Sequence, residues 1–298
     1  MATLAHKLLE PMSLLLPAVL LAGVAGIVAM QTGLLRLPVA TRSVAAPAIV
    51  VIAPRSFSYR PAGQFQRGTA VVDAPLAQMA GEQLEIMRYQ VSVADYARCV
   101  ADGACEATDA RSWGAGDVPV TGVSFNDAEA YAQWLSDATG QLWRLPTDAE
   151  WAFAAGSRFA DDALGVEGTP ENPAERWLAR YEREAALGAG AAAKPEVIGF
   201  FGENEFGVAD AGGSVWEWTA TCDSRTRIDD EGDVIDRLES CGVRIAEGRH
   251  RTGMSRFIRD ARTGGCTVGA PPDNLGFRLV RDTRWDAWFT RWWNSLAD

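Results

Sequence analysis

Two carboxylates, Asp210 and Glu217, stand on either side of a tight glycine turn, Asp210-Ala211-Gly212-Gly213-Ser214-Val215-Trp216-Glu217. Glycines let the backbone bend so that its carbonyls point inward, and hard oxygen donors gathered around a turn suit calcium. The same residues admit a second reading, in which Glu217 pairs with a core arginine and the turn is merely tight. The five cysteines divide by their surroundings. Cys99 and Cys105 flank Val100-Ala101-Asp102-Gly103-Ala104, where Gly103 ends a helical pattern, and such a turn brings two α-carbons within disulfide reach. Cys222 and Cys241 bracket a polar, acid-rich segment that a second disulfide would staple as a loop. Cys266 is left over as a candidate reactive thiol. Two disulfides favour an oxidising compartment. A third group is basic: Arg244, Arg249, Arg251, Arg256, Arg259 and Arg262 lie within one short stretch. Guanidinium forks match carboxylate and phosphate, which makes Arg249, Arg251 and Arg256 candidates for holding an anionic ligand. The competing reading pairs the stretch with the acidic residues Asp229, Asp230, Glu231, Asp233, Asp236 and Glu239.

Other chemistry is excluded by what the chain lacks. Only two histidines occur, His6 and His250, so a multi-histidine iron, copper or zinc centre within one chain is ruled out. There is no GxGxxG or GxxxxGK[ST] phosphate loop and no GxSxG elbow. The net charge of −11 would repel a phosphate backbone, so nucleic acid is not expected as a partner.

The elements that must position these groups are legible in part. Residues 12–30 are uncharged and apolar, near the minimum span of a bilayer. Val28-Ala29-Met30 makes a poor cleavage site, which favours an uncleaved membrane anchor in residues 1–30 over a signal peptide. Residues 31–48 read as a tether, and Ile49–Ile52 as the first strand of a domain. Three helices are marked by their caps: Ser92 with Asp95, Ser124 with Asp127 ending at Gly140, and Thr147 with Glu150 ending at Gly156. Residues 157–196 read as an inserted helix with Trp177, Leu178 and Tyr181 on one face. In the tail, residues 283–298, Trp285, Trp288, Phe289, Trp292, Trp293 and Leu296 recur at helical spacing. That stripe would pack on its own domain, sit at the membrane surface or dock on a protein partner. The whole reads as an irregular α+β domain with many loops, preceded by an N-terminal transmembrane helix.

Four stretches together resemble the formylglycine-generating enzyme family, also called the sulfatase-modifying-factor domain. They are Pro119 to Ala128 (PVTGVSFNDA), Arg144 to Trp151 (RLPTDAEW), Asn204 to Trp218 (NEFGVADAGGSVWEW) and Asp273 to Arg278 (DNLGFR), in family order over residues 49–282. The resemblance implies a C-type-lectin-like mixture of short helices and strands. It also implies a calcium ion held by the Asp210 side chain, the carbonyls of Gly213 and Val215, and the Glu217 carboxylate.

The resemblance withholds the chemistry that names the family. Members that oxidise a cysteine to formylglycine hold copper with two cysteines just after a Gly-Gly-Ser-aromatic motif, as suits a soft copper(I) ion. The corresponding region here, Arg244 to Arg262, has no cysteine, and Gly-Gly-Ser is replaced by Glu247-Gly248-Arg249. Cys266 stands alone nearby, and only His250 and Met254 could join it around copper. The sulfoxide synthases that share the domain use three histidines from an extra helical domain, absent here. The expectation is therefore a tethered periplasmic accessory, maturation or binding factor. The Gly-Gly-Cys-Thr-Val-Gly and Asp-Asn-Leu-Gly-Phe-Arg ending is similar to members encoded with copper nitrite reductases. The rival expectations are an oxidoreductase acting on thiols or a copper-linked partner through Cys266, and a lectin-like ligand-binding module.

Overall fold

Three helices begin where the sequence supplies a side chain for their orphan amides. In the computed structural model, which describes residues 44–108, 114–166, 174–188, 194–260, 274–284 and 286–287, the Ser92 hydroxyl accepts from the Asp95 amide at the start of α1 (Val93–Ala101). Reciprocal capping boxes open α2 (Phe125–Thr139), between Ser124 and Asp127, and α3 (Asp148–Ala155), between Thr147 and Glu150. Gly140 closes α2 in the left-handed conformation at φ 67°, as a glycine C-cap does. A fourth helix, α4 (Ala174–Gly188), occupies the inserted segment. Its Trp177, Leu178 and Tyr181 stay about half exposed.

The strands form three sheets. The first orders β1 (Ile49–Ile52), β6 (Leu84–Met87), β12 (Val280–Arg281) and β7 (Trp143–Arg144), all antiparallel. The second orders β10 (Thr252–Ser255), β9 (Val234–Glu247), β8 (Trp216–Ile228), β3 (Gln64–Arg67) and β4 (Ala70–Val72), with β11 (Leu275–Gly276) parallel to the start of β8. A small third sheet pairs β2 (Arg55–Tyr59) with β5 (Ala77–Gly81). The architecture is α+β. The segment between Cys222 and Cys241, read from its acidity as a stapled loop, is instead most of a long β8–β9 hairpin; only about five residues, 229–233, form its tip. Both expected disulfides are present, with α-carbons 5.3 Å apart for Cys99–Cys105 and 4.5 Å for Cys222–Cys241.

The core is aromatic, with Trp151, Trp216, Trp218, Tyr96, Tyr131, Phe125 and Phe277 almost wholly buried. No helix among the described residues is long and apolar enough to cross a membrane. The expected anchor at residues 12–30 and the tail tryptophans Trp285, Trp288, Trp292 and Trp293 lie outside the described residues.

Candidate functional site

Three of the four sequence motifs meet at one buried carboxylate, and the fourth packs beside it. Parallel pairing of β11 with β8 sets Leu275 beside Trp216 and Gly276 beside Glu217, which delivers Arg278 to Glu217. Arg278 Nε donates to Glu217 Oε2 at 2.5 Å and Nη2 donates to Oε1 at 2.7 Å. Trp151 Nε1, from α3, donates to Oε2 at 2.9 Å, and Gln90 Nε2 donates to Oε1 at 2.8 Å. The remaining guanidinium hydrogens reach the carbonyls of Ala209 and Arg88. The Pro119–Ala128 motif joins through Val123, whose carbonyl accepts from Trp218 Nε1 at 2.9 Å. Both charged side chains are about 1% exposed or less. The motifs that carry the resemblance therefore build a satisfied ionic core.

The carboxylates of the expected calcium set face protein donors in this structure. An ionised carboxylate offers about four lone-pair sites, and Glu217 spends them on four donors. The Asp210 carboxylate turns to the backbone amides of Gly199 and Phe201, with Asp210 itself at φ 59°. The Gly213 carbonyl accepts from Arg249 Nε at 3.0 Å, and Val215 is buried in the core. Of the two readings of Glu217, the pairing with a core arginine is present in the structure.

The arginines of the stretch that lie among the described residues are dispersed rather than gathered, and Arg262 lies outside the described residues. Arg249 sits on the glycine turn. Arg256 donates to Asn126 Oδ1 at 2.8 Å and pairs with Glu129, while Arg259 pairs with Asp127 and Glu106. These are partners at the start of α2 and after α1, not the acidic segment of the hairpin, whose Asp236 and Glu239 pair with Arg227 and Arg237. Arg249, Arg251 and Arg256 thus face different partners: Gly213, Glu247 and Glu129.

Arg251 alone enters a second buried network, which the sequence does not reveal. It lies in the turn between β9 and β10. Its Nε donates to Glu247 Oε1 at 2.7 Å and lies 3.3 Å from Asp148 Oδ1, and its Nη1 reaches Asp162 at 3.3 Å and the Arg60 carbonyl at 3.0 Å. Asp148, the first residue of α3, also accepts from the Tyr59 hydroxyl. Burial, followed by the neighbouring Asp148 carboxylate, pushes the tyrosine hydroxyl well above its usual range, so it remains a donor. Glu247 is 1% exposed. Burial first, then the charge of Asp148, holds its carboxyl well above the ordinary range. The carboxyl groups of Glu247 and Asp148 oppose each other's charge in this buried site. Burial opposes the charge on Arg251, but Asp148, Glu247 and Asp162 outweigh it and keep the guanidinium protonated. One guanidinium thus lies beside two buried carboxyl groups.

This cluster borders a cavity of about 320 Å³, within the range of small-molecule sites. His250 and Arg251 line it with Thr252, Gly253 and Ser255 of β10 and Arg180 of α4. The cavity therefore opens on the stretch Arg244 to Arg262, where copper cysteines would be expected. Gly248 is needed here, since a Cβ on it would fall 2.7 Å from the Trp216 ring. Arg251 Nη2 is buried without an acceptor. Met254 is fully buried, and Cys266 lies outside the described residues.

Residues 39–283 match the model of the sulfatase-modifying factor enzyme 1-like domain. The chain belongs to that family. The formylglycine-generating enzyme of Mycobacterium tuberculosis is 41% identical over 108 residues, 35% of this chain and 33% of the relative. An inactive Cα-formylglycine-generating enzyme 2 from Bos taurus is 30% identical over 166 residues, 55% of this chain and 50% of the relative. The chain thus spans about a third to a half of the length of these relatives. The structure of PvdO from Pseudomonas aeruginosa superposes at a TM-score of 0.49 and 23% identity, over 79% of this chain and 94% of that one.

The family's copper can be tested on donor chemistry. Four of the five cysteines are consumed by the two disulfides. One thiol remains, so the chain cannot furnish a two-thiolate copper site.

Proposed function

We propose that this protein is a family member that does not form formylglycine and acts as an accessory, maturation or binding factor through the cavity beside Arg251. One observation carries the reading. Where copper-binding cysteines are expected, the cavity wall is β10, and behind it lies the buried Glu247–Asp148–Arg251–Tyr59 cluster. A guanidinium with an unused, buried N–H favours a ligand that brings an acceptor oxygen. The two buried carboxyls beside Arg251 offset its charge, so the ligand need not be strongly charged.

The same proposal places the protein in the periplasm, tethered through residues 12–30, with its domain in the C-type-lectin-like arrangement of the family. The two disulfides support an oxidising compartment. The tail tryptophans Trp285, Trp288, Trp292 and Trp293 supply a contact for a protein partner, and the branch found with copper nitrite reductases is the setting in which such a factor fits. Metal analysis of the purified protein tests the reading, with copper, iron and calcium measured together. We expect far less than one equivalent of each. A full equivalent of tightly held copper would overturn it.

One observation favours a second reading. Cys266 is the single cysteine outside the two disulfides, which leaves a thiol oxidoreductase acting through it, on thiols or a copper-linked partner, as the rival. Thiol titration of the folded protein separates the two. The rival requires one accessible thiol whose Cys266→Ser loss abolishes oxidation of a small dithiol.

A further inference from the structure

Among the described residues, no strand lies on the outer edge of β9 over Val234–Cys241. Among the described residues, β8 covers its inner side throughout, and β10 covers the outer side only from Val243 to Ala246. The Gly242 carbonyl is then taken by the Arg256 amide. Every residue from Val234 to Gly242 is exposed, including the apolar Val234 at 62%, Ile235 at 62% and Leu238 at 69%. An exposed, regular edge with apolar side chains is a template for another strand. There is no lysine or proline in this stretch to block one.

We propose that this edge pairs with the same edge of a second copy, antiparallel, with Leu238 on the two-fold axis. The choice of partner rests on charge complementarity. An antiparallel pair of identical strands related by a two-fold normal to the sheet must set one residue opposite itself. Centring on Leu238 sets Arg237 opposite Glu239 twice, once on each side of the axis, and Asp236 opposite Ser240. It also lets residues 235–241 of each copy overlap, almost the whole free edge. Centring on Arg237 sets like charges face to face, and centring on Asp236 does the same with carboxylates. Directly opposed like charges disfavour a sheet, and opposed unlike charges favour it. Within one copy Arg237 and Glu239 already lie together, 3.1 Å apart, so their side chains share the face that the second copy would present. The two charges are 41% and 54% exposed and available to exchange partners.

The test is the association state of the full-length protein, followed by sedimentation across a range of concentrations. Wild type should dimerise. Arg237→Glu and Glu239→Arg should each weaken the dimer on the order of tenfold, because each turns two attractive pairs into two repulsive ones. The double exchange, Arg237→Glu with Glu239→Arg, should restore it. In a Cys266→Ser background, Leu238→Cys should form an intermolecular disulfide, since directly opposed Cβ atoms lie about 4.5–5.5 Å apart, whereas Asp236→Cys, opposite Ser240, should not. All four positions are exposed, so folding is not at stake. A wild-type chain that stays monomeric at every concentration would overturn the proposal. So would a double exchange no better than the single reversals, or equal cross-linking at positions 236 and 238.

Discussion

Replacing Glu217 with glutamine tests whether this carboxylate is a core ion or a metal ligand. The side chain keeps its shape but loses its charge, and one acceptor oxygen becomes an NH2 donor. If that NH2 takes the Oε2 place, it meets Trp151 Nε1 and Arg278 Nε, neither of which can accept. If it takes the Oε1 place, Gln90 can turn its amide to accept, and only the Arg278 Nη2 bond is lost. The second arrangement is the cheaper, yet it leaves the Arg278 guanidinium buried at 1% exposure without a counter-charge. Breaking a buried pair from one side costs about 3–5 kcal/mol. For a domain of this size each kcal/mol moves the melting temperature by about 2–4 °C, so Glu217→Gln should melt roughly 6–20 °C lower. Calorimetry should be run in EDTA throughout. The core-ion account predicts the full loss with the metal removed. A variant within about 1 kcal/mol of wild type in EDTA, or a wild type that falls to meet it on chelation, would refute the reasoning.

Three further outcomes follow from the same contacts. Chelation alone should leave the wild-type melting temperature unchanged, because Glu217 and Asp210 already answer to protein donors; a fall reversed by added calcium would restore the four-ligand set. Glu247 carries a folded-state pKa raised well above 4.5, so the folded chain binds more protons than the unfolded one above that value, and stability should decline as pH rises from about 4.5 through the folded pKa. Melting curves of Glu247→Gln, which stays neutral at every pH, should lack that component of the slope. Removing the Cys222–Cys241 bridge by a double serine replacement should cost about 3 kcal/mol, as expected from the loop entropy of a separation of 19 residues; urea unfolding reads it, and a loss below about 1 kcal/mol would mean that the paired strands alone hold the hairpin.

The parts of the fold set by neighbours along the chain are legible in the sequence. Caps act over three residues, so Ser92, Ser124 and Thr147 mark α1, α2 and α3 by local pattern alone. The glycine turn is tight, as its residues indicate, but the fate of Glu217 is decided by Arg278, Trp151 and Gln90, which lie 61, 66 and 127 positions away. Competition for lone pairs at that range leaves no local pattern. Arg256 and Arg259 mislead for a related reason: their acidic neighbours along the chain lie on the hairpin, while their partners begin α2. The Tyr59–Asp148–Glu247–Arg251 cluster spans nearly two hundred positions. Its one visible signal is a glutamate standing where a glycine is expected, at Glu247-Gly248-Arg249. The acid-rich residues between Cys222 and Cys241 read as a loop because neither face of β9 is buried from Val234 to Gly242, and alternation is the signature of a strand with one buried face.

The central claim is that the chain keeps the family's scaffold without its copper-thiolate chemistry. Mass spectrometry of a Cys-x-Pro-x-Arg peptide, incubated with the copper-supplemented protein and oxygen, tests this most directly. The account predicts that the peptide thiol survives unchanged at the mass of the starting peptide. Catalytic conversion of that cysteine to formylglycine would contradict it.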